Sequence, residues 1–136
     1  MELNRSREDY LKTILMLERK KGVVRSSEVA KHLNVTRASV SYAVRYLKED
    51  GFLTMDEHKT LCFTERGREA AEQVYERHRV IRDALIYLGI EPETADQDAC
   101  RIEHDISGKT FEKLKELCGE HAAGGSRPKE NKNDNA

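Results

Sequence analysis

Apolar residues near the start of the chain recur at intervals of three and four, the spacing of an amphipathic helix. The pattern predicts a first helix that opens at Ser6, where Asp9 completes the S-x-x-D form of a capping box, and that closes at Gly22. The last turn before Gly22 is rich in Lys and Arg, which suits the negative end of a helix. The apolar positions of this helix are Leu11, Ile14, Leu15 and Leu17.

Two shorter helices are predicted next. Ser26 opens the first of them, and Asn34 makes a tight turn because asparagine tolerates the left-handed backbone conformation. Thr36 caps the second, which ends at Gly51. Two short helices joined by a few residues, the second amphipathic and rich in small polar groups, are typical of a helix-turn-helix motif.

The period of the pattern changes after Gly51. Residues 52–55 and 61–64 are strand-like and flank the polar stretch 56–59, which predicts a β-hairpin. A hairpin directly after the second helix of a helix-turn-helix makes the motif a winged helix.

The remaining pattern is helical. Thr64 caps a long helix over about 65–88, stopped by Gly89, and further helices are predicted over about 92–106 and from Ser107 to about Leu117. The inward stripe of the long helix is predicted to hold Ala71, Val74, His78, Ile81, Leu85 and Leu88.

The fold class predicted from these patterns is mostly α. A winged helix-turn-helix DNA-binding domain with a small β-hairpin wing over 1–68 precedes an all-helical metal-binding and dimerisation domain over 69–121. Residues 122–136 combine Gly, Ser, Pro, Lys, Asn and Asp without apolar spacing, so we expect a disordered tail.

Composition adds a thin core and an uneven distribution of charge. The 136 residues are 38% hydrophobic and 36% charged, so we expect a core completed by a second copy. Residues 1–68 hold 14 Lys and Arg against 10 Asp and Glu, whereas residues 69–136 hold 10 against 15. The near-neutral total therefore combines a basic front suited to phosphate with an acidic back. The apolar residues expected at the dimer contact are Ile86, Leu88, Ile90, Ile106, Phe111 and Leu114.

Signals for a membrane or for export are missing from the sequence. No apolar run approaches the roughly 20 residues that span a bilayer. The charged start is unlike a secretory signal. We expect a soluble, cytoplasmic protein without a membrane partner.

The second helix of the motif is the candidate DNA-reading element. Arginine pairs with guanine edges and hydroxyl groups suit bases or phosphates. The alternatives are a solvated helix face and a winged helix that binds protein. The candidate DNA contacts are Ser26, Thr36, Arg37, Ser39, Ser41, Tyr42, Arg45 and, at the hairpin tip, Lys59.

Potential metal ligands are concentrated around residue 100. Cys100, Glu103 and His104 fall within roughly a third of the circumference of a helix. Thiolate, carboxylate and imidazole are all ligands for first-row metals, and His78 on the preceding helix could add a fourth. The alternatives are a hydrogen-bonded core histidine at 78 and a solvated helix end at 103–104, because such triples also arise by chance.

The chain resembles the diphtheria toxin repressor family. The resemblance runs over about residues 6–118 and rests on the winged helix, R-H-R at 77–79 and A-C-R-I-E-H-D-I-S at 99–107. That family consists of metal-dependent transcriptional regulators, and the chain resembles its short branch, the manganese transport regulators, which lack an SH3-like domain.

The resemblance implies five metal ligands in one site. Cys100 matches the iron branch, Asp9 matches the manganese branch, and the other ligands are common to both. Two positions depart from the family: Lys12 stands where the manganese branch has a ligand Glu, and Arg82 replaces a carboxylate of the iron branch. Asp96, one turn before Cys100, could partly supply a second metal site. The predicted ligands are Asp9, His78, Cys100, Glu103 and His104.

The function implied is that of a metal-responsive regulator, expected to be a repressor rather than an enzyme. It would bind a pseudo-palindromic operator in double-stranded DNA as a homodimer when loaded with Mn(II) or Fe(II), and so control metal-homeostasis genes. Other divalent first-row metals also suit the ligands. Metal is expected to clamp the DNA-binding part, which carries Asp9, to the helical part. The alternative is a metal-independent winged-helix regulator or protein-interaction module.

Overall fold

A computed structural model describes the backbone of residues 4–123 and the side chains of residues 4–119. The chain divides into two compact units, and the division lies between Tyr75 and Glu76, inside the long fourth helix. The predicted boundary between residues 68 and 69 lies a short distance before it.

The first unit is built on three helices and a two-stranded sheet. The helices are α1 (Arg5–Lys21), α2 (Ser26–Leu33) and α3 (Arg37–Glu49), and the strands are β1 (Leu53–Met55) and β2 (Leu61–Phe63). This element order confirms the predicted winged helix-turn-helix.

The start of α1 differs from the prediction. Asn4, not Ser6, is the N-cap, since its Oδ1 atom accepts a hydrogen bond of 2.9 Å from the backbone N–H of Arg7. Ser6 already lies in the first helical turn, so Ser6 and Asp9 form no capping box. The sequence pattern pointed to Ser6 because serine is also a good N-cap, but Asn4 supplies an acceptor one half-turn earlier.

The turn between α2 and α3 is as predicted. Asn34 has φ 58° and ψ 49°, the left-handed conformation that ends α2. Thr36 then caps α3 by accepting a hydrogen bond of 3.0 Å from the backbone N–H of Ser39. These two residues fix the direction in which α3 leaves α2.

The wing is an antiparallel hairpin with Leu53 opposite Phe63. Its outer edge is extended by the segment before α2, because the N–H of Leu61 donates to the carbonyl of Val24 at 2.8 Å and Arg25 bridges to Thr60. The wing is therefore hydrogen-bonded to the start of the helix-turn-helix.

Buried apolar residues from all three helices and the wing form one core in the first unit. Phe52 and Leu53 anchor the wing in it, and Ala71 brings in the beginning of α4. The core consists of Tyr10, Leu11, Ile14, Leu15, Val24, Val29, Ala30, Val40, Ala43, Val44, Leu47, Phe52, Leu53, Leu61 and Ala71.

The remaining helices are α4 (Glu65–Tyr87), α5 (Pro92–Ile102) and α6 (Gly108–Ala123). Thr64 caps α4 and Ser107 caps α6, each by accepting from the backbone N–H three residues later, at 3.0 and 3.1 Å.

Two helix ends in the second unit differ from the prediction. Helix α5 ends at Ile102 rather than near 106, because the chain must leave the helix before Ser107 can cap α6. Helix α6 runs to Ala123 rather than to Leu117, so Ala122 and Ala123 are helical and not part of the tail. Alanine has the highest helix propensity, which the search for apolar spacing ignored. The rest of the predicted tail, 124–136, lies outside the described residues.

None of the helices within the described part of the chain has an apolar stretch long enough to cross a membrane.

Candidate metal centre and nucleic-acid interface

His78 is the centre of a cluster of ligand-type side chains in the second unit. It lies on α4 and is 4% exposed. Its Nδ1 atom is 2.9 Å from Oε1 of Glu103, and its Nε2 atom is 2.7 Å from Oδ1 of Asp96. The Sγ atom of Cys100 lies 3.8 Å from the same Nδ1 atom.

Helix α5 presents two of these groups because of their spacing. Asp96 and Cys100 are four residues apart and therefore lie on the same face of the helix, one turn above the other. One ligand atom from each, together with one from His78, lies within 4.8 Å of the others. A first-row metal bound at about 2.0–2.3 Å from each ligand requires separations of this size. The donor set and its spacing thus fit a divalent ion.

Glu103 connects this cluster to His104. Its side chain is fully buried, with one carboxylate oxygen on His78 and the other 3.1 Å from Nε2 of His104. A buried carboxylate is stable only when it is paired with positive charge or hydrogen-bond donors. The two imidazoles supply these donors when protonated, and a metal ion supplies the charge directly.

Arg77 holds the turn that carries Glu103. Its guanidinium donates to the backbone carbonyl of Glu103 at 3.3 Å and lies 5.7 Å from the centre of the Phe111 ring. Sequence reasoning did not single out Arg77, although it belongs to the R-H-R motif. This residue ties together α4, the end of α5 and α6.

The structure thus brings His78, Cys100, Glu103 and His104 together in the second unit, and adds Asp96 to them. Asp9 lies on α1 in the first unit, where it is half-buried. Its role as a ligand stays a prediction from the resemblance. Lys12, also on α1, is only 5% exposed.

Arg82 does not lie with the ligands as a carboxylate substitute would. Its guanidinium pairs with Asp83 at 3.2 Å, which leaves the position one turn after His78 without an acidic ligand. Within the described residues, the acidic partner of His78 on α5 is Asp96.

The predicted DNA contacts lie in the first unit and are mostly exposed. Arg37, Ser41, Tyr42 and Arg45 on α3 are all exposed, and Tyr42 exposes 57% of its surface. Ser26, the first residue of α2, is half-buried.

Two of the predicted contacts have structural roles of their own. Thr36 Oγ1 donates to Ser39 Oγ at 3.0 Å in addition to capping α3. Lys59 lies exposed at the tip of the wing with φ 65°.

An open apolar groove of about 520 Å³ lies in the second unit. Three of the residues expected at the dimer contact, Leu88, Ile106 and Leu114, line it, and Leu88 is 72% exposed. Phe111 is a correction: it is 7% exposed, because it packs inside the unit under Arg77. The groove is lined by Ile81, Ala84, Leu85, Leu88, Arg101, Ile102, Asp105, Ile106, Thr110 and Leu114.

Two family models match the chain one after the other. Residues 2–61 match the N-terminal DNA-binding domain of iron dependent repressors, and residues 64–124 match their metal-binding and dimerisation domain. The chain belongs to the iron-dependent repressor family. The predicted function, a metal-responsive transcriptional regulator that binds DNA and dimerises, is confirmed by this membership, and so is the prediction that the chain is not an enzyme.

Curated relatives have almost the same length as the matched part of this family member. An HTH-type transcriptional regulator of Methanocaldococcus jannaschii, described as uncharacterized, is 30% identical over 115 residues, which are 83% of this chain and 92% of the relative. The regulator MntR of Bacillus subtilis is 30% identical over 112 residues, which are 82% and 79% of the two chains.

Solved structures agree with the fold. IdeR of T. acidophilum is 29% identical with a TM-score of 0.73, over 82% of this chain and 53% of that one. A manganese-dependent transcriptional repressor in complex with manganese is 26% identical with a TM-score of 0.76, over 83% and 52%. The repressor chain described here spans about half the length of those two proteins.

Proposed function

We propose that this protein is a transcriptional repressor of metal-homeostasis genes that binds a pseudo-palindromic operator as a homodimer when it holds Mn(II) or Fe(II). The observation that carries the proposal is the cluster around His78, where Asp96 and Cys100 lie on one face of α5. This cluster belongs to a chain whose other unit is a winged helix with an exposed, basic reading helix.

The ligand types favour these two metals. Carboxylates suit Mn(II), whereas thiolate favours softer ions, and imidazole is bound by most first-row metals. The relatives support the same range: one is named for manganese dependence, and a structure of the related regulator ScaR holds Zn²⁺. Availability of each metal then decides which one is bound.

The residues that would hold the metal are His78, Cys100, Glu103, His104 and Asp96. The metal supplies positive charge among carboxylates that otherwise repel one another. His78 orients through its two ring nitrogens, each facing a carboxylate. Glu103 is kept in place by Arg77, which holds its backbone carbonyl. The additional ligand Asp9 is proposed from the resemblance alone.

The proposed operator follows from the proposed dimer. Two copies related by a twofold axis present two α3 helices, which read half-sites about one helical turn apart. The apolar groove beside Leu88 is the surface that we propose for the second copy, because an exposed apolar surface of this kind marks a protein contact.

The test is operator binding by the full chain, measured by fluorescence anisotropy, with Mn(II), Fe(II) or EDTA under anaerobic conditions. We expect metal to tighten binding by about 10-fold or more and EDTA to reverse the effect. Cys100→Ala should weaken the response, whereas Cys62→Ala, on the wing, should not. Binding that is unaffected both by EDTA and by Cys100→Ala would contradict the proposal. Light scattering of a monomer at micromolar concentration would contradict the dimer.

A further inference from the structure

Two tyrosines on α3 form a pair at the centre of the exposed reading face. The rings of Tyr42 and Tyr46 are 4.9 Å apart and 70° from parallel, an edge-to-face arrangement. Their hydroxyl groups are hydrogen-bonded at 3.2 Å. Because the residues are four positions apart, both the rings and the hydroxyl groups meet along one face of the helix. The orientation of the exposed Tyr42 ring is thereby set by Tyr46.

Two arginines lie on the faces of these rings. The guanidinium of Arg45 is 5.6 Å from the centre of the Tyr42 ring, and that of Arg7 is 4.5 Å from the centre of the Tyr46 ring. Arg7 comes from the first turn of α1 and also faces Asp50, at the end of α3, at 3.9 Å. The row therefore begins on a neighbouring helix and ends at a cation on the reading face.

The two ends of this row differ in exposure. Tyr42 and Arg45 are exposed, whereas Tyr46 is half-buried and the Arg7 side chain is 18% exposed. The hydrogen bond to the Tyr42 hydroxyl also raises the pKa of Tyr46, so the pair stays neutral and bonded at physiological pH. The inner pair is thus built into the unit, and the outer pair faces solvent.

We propose that Arg7 and Tyr46 are positioning residues for base recognition. They hold the Tyr42 ring, and through it the Arg45 guanidinium, in one orientation before DNA arrives. This inference rests on the proposed function, since it concerns how the same surface selects its operator. Ordering a long side chain on binding costs affinity, and a side chain that is already ordered avoids that cost. Base contacts depend on such orientation, whereas phosphate contacts depend mainly on charge.

The experiment compares two duplexes bound by the full, metal-loaded chain. One is the tightest site that the wild-type protein selects from a random pool, and the other is a scrambled duplex of equal length. Tyr46→Phe removes only the hydroxyl group that holds Tyr42. We expect it to weaken binding of the selected site by about 3- to 10-fold and to leave the scrambled duplex unchanged. Tyr75→Phe is the control, because Tyr75 also lies under an arginine, Arg19, but on α4.

Charge is controlled by a second pair of variants. Arg7→Ala and Arg5→Ala remove the same charge two residues apart on α1, so any general attraction to phosphate falls equally. Only Arg7→Ala should lower the ratio of selected to scrambled affinity. The double variant Arg7→Ala/Tyr46→Phe should lower it little further, because both residues act on the same ring.

Two results would overturn the positioning role. One is an equal loss on both duplexes for Tyr46→Phe. The other is a salt slope that falls by about 0.9 in Arg7→Ala with no change in discrimination, which would make Arg7 a phosphate contact. Wild-type discrimination that survives EDTA would contradict the proposed function alone. A loss of discrimination in Tyr46→Phe would then still support the positioning role.

Discussion

The Nε2 atom of His78 lies 2.7 Å from Oδ1 of Asp96. The sequence suggested Asp96 only for a second metal site, whereas the fold makes it a direct partner of the histidine. The other ring nitrogen faces Glu103, so the imidazole bridges two acidic groups. One histidine is therefore shared by the carboxylates of α5 and of the turn after it.

This arrangement predicts that Asp96 contributes to metal affinity. Asp96→Asn removes the negative charge and one ligand, and we expect metal affinity to fall by about 10- to 100-fold. Asp98→Asn is the matched control, since Asp98 lies two residues on and therefore on a different face of α5. Competition with a fluorescent chelator measures both variants. Equal affinities in the two would show that Asp96 holds no metal.

Cys100 is predicted to set the choice of metal. Cys100→Glu replaces a soft ligand by a hard one, so the ratio of Mn(II) to Co(II) affinity should rise by about 10-fold or more. The charge-transfer absorption of a cobalt–thiolate bond should be lost in the same variant. Cys118→Ser is the control, because that thiol donates to the carbonyl of Val80 on α4 and is not among the ligands. An unchanged metal ratio in Cys100→Glu would argue against thiolate ligation.

Lys59 is predicted to contact the DNA backbone from the tip of the wing. Its φ of 65° is a conformation that asparagine also tolerates, so Lys59→Asn removes the charge while the turn keeps its shape. The slope of log affinity against log salt should decrease by about 0.9, the value for one phosphate contact. Glu57→Gln, two residues away, serves as a control for changes in the wing. A slope unchanged in Lys59→Asn would place the lysine away from phosphate.

The wing turn is predicted to depend on pH only in the acid range. The N–H groups of Thr60 and then His58 donate to Oδ1 of Asp56 at 2.9 and 2.8 Å and lower the pKa of its carboxyl below the usual 3.8. A lowered pKa means that the turn is fully stabilised above the ordinary value and loses this stabilisation as pH falls through the lowered one. Amide NMR shifts of Thr60 should therefore be constant from pH 5 to 8 and change below 4. Asp56→Asn should abolish that acid transition, and a transition that persists in the variant would refute the assignment.

Gly67 is predicted to be essential for the junction between the wing and α4. A Cβ atom at this position would lie 1.8 Å from the carbonyl oxygen of Phe52. Gly67→Ala should lower the free energy of unfolding by about 3 kcal/mol or more, because backbone would have to move. Gly108→Ala, where nothing lies within 4 Å, should instead stabilise the protein by about 0.5–1 kcal/mol. Urea unfolding compares the two, and similar effects would refute the close packing.

The sequence alone determined the winged helix because its signals are local. Asn34 and Thr36 fix the turn between α2 and α3 through their own backbone and side-chain chemistry, and both predictions are confirmed. The change of period after Gly51 predicted the hairpin for the same reason. Competition between two good caps is harder to resolve, which is why Ser6 was chosen over Asn4.

Only the tertiary structure decided how groups far apart in sequence meet. Helical spacing put Asp96 and Cys100 on one face of α5, but the packing of α5 against α4 selected His78 as their partner. Likewise, spacing gave Tyr42 an exposed face, whereas the neighbouring helix supplied Arg7 to the pair behind it. A sequence pattern records which residues share a face, and the distance between two faces is set by the packing of the whole unit.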